Sequence, residues 1–334
     1  MILVTGGTGL VGSHLLYQLV QTNDNVIAIY RNEAHKKKVK NVFAYYTTAV
    51  QALYSKIIWR SADITDINAL DLAFKGVTHV YHAAALISFA PKDYYALRKV
   101  NIEGTANVVN LCIEHGIKKL CYVSSVAAVG KPITGTAIRE TNEWNVSENN
   151  YGYAITKYGA EIEVWRGAQE GIDVVIVNPG IILGPGFWNS GSGKIFSQLA
   201  TGFLFYTEGV TGFVGVEDTV KIMIALMNGE QRNERYIIVS ENASFKDVFF
   251  AIADAFGKKR PPIRATKFLG AIGWRIEALR SWINGSAPVL TKHAVKSSHE
   301  QFHYSHDKVV RALQYTFEPL KLTLDKTCKL YRID

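Results

Sequence analysis

The stretch Thr5-Gly6-Gly7-Thr8-Gly9-Leu10-Val11-Gly12 decides how the rest of this chain reads. It follows the apolar run Ile2–Thr5 and opens a segment in which Val11, Leu15 and Leu19 recur every four residues, with Leu16 and Val20 beside them. That pattern predicts a strand, a tight turn and an amphipathic helix. The glycines have distinct tasks: a turn with unusual dihedrals at Gly6, close backbone approach to a pyrophosphate at Gly9, and tight helix–strand packing at Gly12. The helix start adds unpaired N–H groups and partial positive charge. In this strand–turn–helix context the glycines predict a dinucleotide site rather than a merely structural turn.

Working outward, further strands are predicted at Val26–Tyr30, Ile57–Arg60, His79–His82, Lys119–Ser124 and Asp173–Asn178, with helical patterns at 101–114 and 151–169. Nearly continuous apolar strands alternating with helices predict an α/β fold, a Rossmann-type doubly wound parallel sheet. The rhythm breaks after Asn178. Residues 179–212 read as irregular, 218–227 as a helix, 236–239 as a short strand, and 244–313 as helices broken at Pro261-Pro262 and Gly285–Pro288. The organisation expected is an NAD(P)-binding domain over 1–178 to which 211–230 returns. Residues 179–210 and 235–334 form a smaller, mostly helical, interleaved substrate lobe.

Composition excludes several classes. Of 334 residues, 48% are hydrophobic and 20% charged, so wholesale disorder is ruled out. Three cysteines, Cys112, Cys121 and Cys328, are too few and too scattered for a disulfide scaffold or a zinc site, and no metal is expected. The net charge of +8 is spread along the chain, and its one dense run, Lys36-Lys37-Lys38 with Lys40, reads as a solvated face. The opening Met1-Ile2-Leu3-Val4-Thr5 carries no basic n-region, and the uncharged stretch 174–193 holds two prolines and five glycines. A soluble, cytoplasmic protein with no membrane span is expected.

At the end of the second predicted strand stand Tyr30-Arg31, with no acid until Glu33. A carboxylate there would hold a ribose 2′-OH and repel a 2′-phosphate. Arg31 can instead pair with that phosphate and stack on adenine, which favours NADP over NAD; the alternative for Arg31 is a plain surface residue.

Tyr153-Ala154-Ile155-Thr156-Lys157 sets a phenol and an ammonium at i and i+4, on one helical face. A cation about 4 Å away at an effective dielectric of ~20 favours phenolate by roughly 4 kcal/mol, or about 3 pKa units as an upper estimate. The spacing alone is common, and Tyr95/Lys99 and Tyr304/Lys308 share it. Position separates them: Tyr153 lies beyond Ser125, which closes the strand that ends at the same sheet edge as the glycine loop.

Together these residues resemble the extended short-chain dehydrogenases/reductases, the NAD-dependent epimerase/dehydratase family. The resemblance also rests on Asp63-Ile64, His82-Ala83-Ala84-Ala85, Asn101, Tyr122-Val123-Ser124-Ser125, Asn178-Pro179-Gly180 and Gly184-Pro185-Gly186. It implies that Tyr153 exchanges the proton, Ser125 hydrogen-bonds the reacting oxygen, and Lys157 binds the nicotinamide ribose. For the cofactor it implies Gly6, Thr8, Gly9, Leu10, Val11, Gly12, Arg31, Asp63 on the adenine, Ile64, the Ala83–Ala85 turn, Asn101, Ser124, Asn178 and Pro179. Val126 stands where sugar-nucleotide dehydratases carry an acid, and the stretch 211–218 lacks the Arg-Asp pair common in nucleotide-sugar epimerases. Tyr30-Arg31, Tyr304–Asp307 and Leu313-Gln314-Tyr315 look like the dihydroflavonol-reductase-like branch.

The reading is an NADP(H)-dependent oxidoreductase interconverting a carbonyl and an alcohol on a small molecule. A nucleotide-sugar epimerase with tightly bound NAD(P) is the enzymatic alternative. A cofactor-sensing or nucleic-acid-binding scaffold is the non-catalytic one, and nucleic acid is not the expected partner. The resemblance also implies a homodimer as an option. His14 and His82 read as structural. Phe187, Trp188 and Tyr206 read equally as pocket or lobe core. The apolar and basic segment 268–283 is expected to pack within the lobe, with a membrane surface or a partner as alternatives.

Overall fold

Neighbouring side chains of the first strand, β1 (Ile2–Thr5), enter opposite apolar layers: Leu3 joins one and Val4 the other. The same alternation runs through β2 (Val26–Tyr30), where Val26 and Ala28 face one layer and Ile27 and Ile29 the other. A sheet buried on both faces follows, which is why its strands read as unbroken apolar runs. The computed structural model describes residues 1–132, 137–146, 150–284 and 292–331.

The remaining strands of this first half are β3 (Ile57–Ser61), β4 (His79–His82), β5 (Lys119–Val123) and β6 (Asp173–Pro179). Five more short strands follow before α-helical sequence dominates: β7 (Ile181–Leu183), β8 (Phe205–Tyr206), β9 (Val210–Gly215), β10 (Glu234–Ile238) and β11 (Glu241–Ser244). The last is β12 (Ile263–Arg264). The main sheet has the order β10-β6-β5-β4-β1-β2-β3, and all its neighbours are parallel. Chain direction across the sheet reverses between β1 and β4. That switch point opens a crevice at the carboxyl ends of the strands, where such sheets bind their ligands.

One face is covered by the helices Leu10–Thr22 and Val216–Asn228, through Leu15, Leu19, Met223 and Leu226. The other is covered by Ile67–Phe74, Gly104–Glu114 and Gly152–Gln169, through Phe74, Val109, Cys112 and Val164. A separate core built from Leu183, Trp188, Phe196, Phe213, Ile252 and Leu324 holds the small lobe together.

Two expectations are corrected. Residues 235 onward do not all belong to the small lobe: Glu234–Ile238 is the seventh strand of the main sheet, with Glu234 paired to Val175 and Ile238 to Pro179. A short apolar run does not announce which strand it will join, and this pairing is decided in space. Nor is 179–212 irregular throughout. It carries β7, β8, the start of β9 and the helix Gly193–Ala200, with β7 and β9 joined to β11 in a second sheet. The expected break at Gly285–Pro288 lies outside the described residues. All three cysteines are buried free thiols, and Lys37, Lys38 and Lys40 are exposed. Among the described residues no helix is long and apolar enough to cross a membrane.

Candidate active site

The glycine loop is packed so tightly that side chains are excluded from it. Gly6 has φ +68°, and a Cβ there would lie 2.6 Å from the Ala84 nitrogen and 2.7 Å from the Ala83 oxygen. A Cβ on Gly12 would collide with the Gly6 carbonyl. Gly9 caps the helix Leu10–Thr22 without any side-chain bond, and the first turn holds no acid, so no side chain of that turn neutralises the partial positive charge of the helix start. This cradle fits the pyrophosphate of a dinucleotide.

His82 braces the cradle. Its Nδ1 is 2.6 Å from the Thr5 hydroxyl and its Nε2 is 2.9 Å from that of Thr105, while Ala84 N–H donates to Thr5 Oγ1 at 3.2 Å. Burial, helped by the Lys157 charge, pushes its pKa down to about 3, so the ring is a neutral strut. His14, buried between Tyr46 and the Pro185 carbonyl, is pushed down to about 4 by burial, partly offset by that carbonyl.

Near the carboxyl end of β2, Asp63 Oδ1 accepts the N–H and the hydroxyl of Thr65, both at 2.9 Å, and Oδ2 lies 3.5 Å from Arg31 Nη1. Burial pushes the carboxyl up, but the Thr65 bonds and Arg31 outweigh it and hold the group below its ordinary range. The Arg31 guanidinium is largely exposed at the end of β2. Ile64 is buried against Gly104, and its carbonyl accepts from Asn107.

The reacting end is built by β5 and the helix Gly152–Gln169. Ser125 follows β5, where its Oγ accepts from Ala127 N–H at 3.1 Å, and it stands near enough to Tyr153 to influence the phenol. Lys157 is buried, and its Nζ donates to Tyr122 Oη and to the Val123 carbonyl, both at 2.7 Å. Burial pushes Tyr153 up to about 12, only partly offset by Ser125. Burial likewise pushes Lys157 down to about 7, against the pull of Glu161. The expectation of a phenol lowered by Lys157 is therefore corrected. Helical spacing sets the shared face, but the ammonium aims its bonds at Tyr122 and Val123, and desolvation dominates the phenol.

A glycine cradle, a Ser/Tyr/Lys cluster at the same sheet edge and this strand order are the setting for the sequence comparison. The profile of the NAD dependent epimerase/dehydratase family matches residues 2–239. The chain belongs to this family. The "Putative dihydroflavonol 4-reductase" of Synechocystis sp. is 28% identical over 330 residues, covering 96% of this chain and 91% of that protein. Sterol demethylase protein B of Methylococcus capsulatus is 30% identical over 263 residues, covering 78% and 75%. The crystal structure of gox2253 superposes with a TM-score of 0.80 at 25% identity, covering 99% of this chain and 97% of that one. The protein is thus an NAD(P)-dependent enzyme of the extended short-chain dehydrogenase/reductase type, in its dihydroflavonol-reductase-like branch.

Within this family member, several expected cofactor residues have other commitments. Ser124 donates to Glu161 at 2.7 Å, and Asn178 Nδ2 donates to Glu161 at 2.9 Å and to the Ser125 carbonyl at 3.0 Å. Asn101 sits in a π-wound turn, Arg98–Glu103, and clamps the loop after the Ala83–Ala85 turn by exchanging bonds with both backbone groups of Leu86. Pro179 ends β6 at the same edge.

Sequence reasoning missed Glu161. It lies four residues beyond Lys157 and accepts Arg235 Nη1 at 3.0 Å as well as Ser124 and Asn178. An acid continuing the Tyr153/Lys157 face was the available signal. It also missed Phe89 and Tyr151, whose rings lie 6.1 and 6.2 Å from that of Tyr153. Of the aromatics weighed as pocket or core, Trp188 is lobe core between Phe196 and Tyr331, and Tyr206 rests on Phe250. Phe187 lies under Lys38.

Proposed function

We propose that the protein uses NADPH to reduce a carbonyl on an apolar, ring-bearing small molecule to the alcohol, and catalyses the reverse oxidation. The observation that carries this reading is the placement of Ser125, just past the carboxyl end of β5, near Tyr153 on the helix Gly152–Gln169, at the sheet edge that also bears the glycine cradle. A serine hydroxyl beside a phenol suits a carbonyl oxygen.

When bound, NADPH would supply a hydride for the carbonyl carbon; Tyr153 Oη would give its proton to the carbonyl oxygen as the C=O π bond breaks, and Ser125 would donate a hydrogen bond to that oxygen. With a pKa of about 12, Tyr153 holds its proton at neutral pH and has it to give. Lys157 fixes the end of β5 through Tyr122 and Val123, and with a pKa of about 7 it is the group whose charge changes in the working range. It also stands where the cofactor's nicotinamide ribose would be held. Gly6, Thr8, Gly9, Leu10, Val11 and Gly12 would hold the pyrophosphate, with Asp63 and Ile64 at the adenine and the Ala83–Ala85 turn along the cofactor.

NADPH rather than NADH is supported by Arg31, an exposed cation at the end of β2 where an acid would reject a 2′-phosphate. An apolar, ring-bearing substrate is supported by Phe89 and Tyr151 around the Tyr153 ring, and by relatives named dihydroflavonol 4-reductase, anthocyanidin reductase and sterol demethylase protein B. The test is NADPH absorbance across a panel of carbonyl compounds, beside a thermal-shift panel of nucleotide sugars. Epimerisation of a nucleotide sugar without net NADPH consumption overturns the reaction, and a lower KM for NADH overturns the cofactor.

A further inference from the structure

Six apolar side chains that the candidate active site does not use stay exposed on the small lobe: Leu204, Phe205, Ile263, Phe268, Leu269 and Ile272, each between 38% and 73% exposed. They come from two adjoining pieces of chain. Phe205 and Ile263 are register partners in the two-stranded ribbon β8–β12, so they share a face, and Ile263 N–H donates to the Leu204 carbonyl at 3.0 Å. Two residues after β12 the helix Lys267–Asn284 begins, and its first turns bring Phe268, Leu269 and Ile272 onto one side. Gly270 lies on the other side, where a Cβ would meet Val295 of the helix Lys292–Ser297 at 2.5 Å. The first turns of the helix therefore dock through Gly270 and leave Phe268, Leu269 and Ile272 exposed.

The chain next to these positions is basic. Lys258, Lys259 and Lys267 are exposed and have no acidic partner among the described residues. Arg260 and Arg264 are paired, with Asp254 and Glu208, so the acids nearby are already neutralised. Isolated apolar side chains on a surface are ordinary. Six on two short pieces of chain, with unneutralised lysines next to them in sequence, bring two complementary requirements, an apolar medium and anions.

We propose that this face docks the protein on the surface of an anionic lipid bilayer, with Phe268, Leu269 and Ile272 entering the headgroup–acyl boundary and the lysines meeting acidic headgroups. A helix lying in the interface, apolar on one side and basic at its margin, matches both halves of that medium. A nucleic acid would satisfy the lysines but leave six apolar side chains facing a polar backbone. A bilayer satisfies both.

The experiment is co-sedimentation of the full-length protein, with NADPH present, on vesicles of phosphatidylcholine alone and of phosphatidylcholine with phosphatidylglycerol. Binding to the anionic vesicles, weaker on the neutral ones and reduced by salt, is expected. The double variant Phe268→Ser/Leu269→Ser should lower the partition coefficient by about tenfold or more. Lys258→Gln/Lys259→Gln/Lys267→Gln should remove the preference for anionic lipid. Circular dichroism and cofactor titration establish that the variants are folded. Failure to pellet with either vesicle overturns the proposal. So does a native protein that is dimeric by light scattering when the Phe268→Ser/Leu269→Ser variant is monomeric, because the patch would then belong to a second copy.

Discussion

Glu161 lies one helical turn beyond Lys157 on the same buried face, and its carboxylate gathers Ser124, Asn178 and Arg235. Ser124 and Asn178 flank Ser125, the first by sequence and the second through the Ser125 carbonyl. One carboxylate thus ties the segment of Ser125 to the strand beside it, and supplies the negative charge that favours an ammonium at Lys157.

Glu161→Gln should therefore act on two readouts at once. Arg235 loses its counter-charge, and the cost of leaving a largely buried cation unpaired is about 3 kcal/mol, read as a lower unfolding midpoint. Lys157 loses the influence that raises its pKa. On the proposed mechanism, in which the Lys157 ammonium holds the nicotinamide ribose, activity should fall as pH rises through about 7 in the native enzyme, and at lower pH in the variant. A kcat/KM–pH profile unchanged by Glu161→Gln refutes the electrostatic half of this account.

Tyr153→Phe removes the proton donor and leaves the glycine cradle untouched. Turnover should drop about 10²- to 10⁴-fold. Dinucleotide binding, followed by fluorescence titration, should stay within a few-fold of native. Retained turnover would refute the role given to Tyr153.

Arg31→Ala tests the cofactor. Loss of a hydrogen bond to a charged group is worth about 1.5–3 kcal/mol, so KM for NADPH should rise roughly ten- to a hundredfold while KM for NADH moves little. Equal changes for both cofactors would place Arg31 away from the 2′-phosphate.

Gly12→Ala puts a methyl into the Gly6 carbonyl, in a loop whose other wall is the Ala83–Ala84 backbone. Backbone on both sides cannot yield as a side chain can. The variant should lose cofactor affinity by at least tenfold and unfold at lower temperature. An unchanged dissociation constant would mean the cradle is looser than its geometry.

Acid should weaken the fold through two histidines. His82 and His14 have folded-state pKa values of about 3 and about 4, below the ordinary value near 6.5. Each is a base with a depressed pKa, so the unfolded chain binds more protons in the interval between the two values. Stability therefore falls as pH drops from about 6.5, by up to ~1.4 kcal/mol per pH unit for each histidine. Urea unfolding at pH 7 and pH 5 measures this, and His82→Gln should flatten the slope.

The layered sheet was legible because its strands are apolar on both faces, and the glycine loop because only glycine tolerates such backbone crowding. Ser125, Tyr153 and Lys157 could be named from spacing and resemblance. The state of that cluster could not. Desolvation depends on everything packed around Tyr153 and Lys157, and it reversed the expected sign for the phenol.

By itself, then, the sequence determined the parallel sheet, the cradle at its switch point and the face shared by Tyr153 and Lys157, since each follows from local periodicity and steric limits. Only the tertiary structure decided that Glu234–Ile238 joins the main sheet, that Glu161 and Arg235 meet 74 residues apart, and which way the ammonium points. Those are contacts between distant segments, and side-chain partners and burial exist only once the chain has folded.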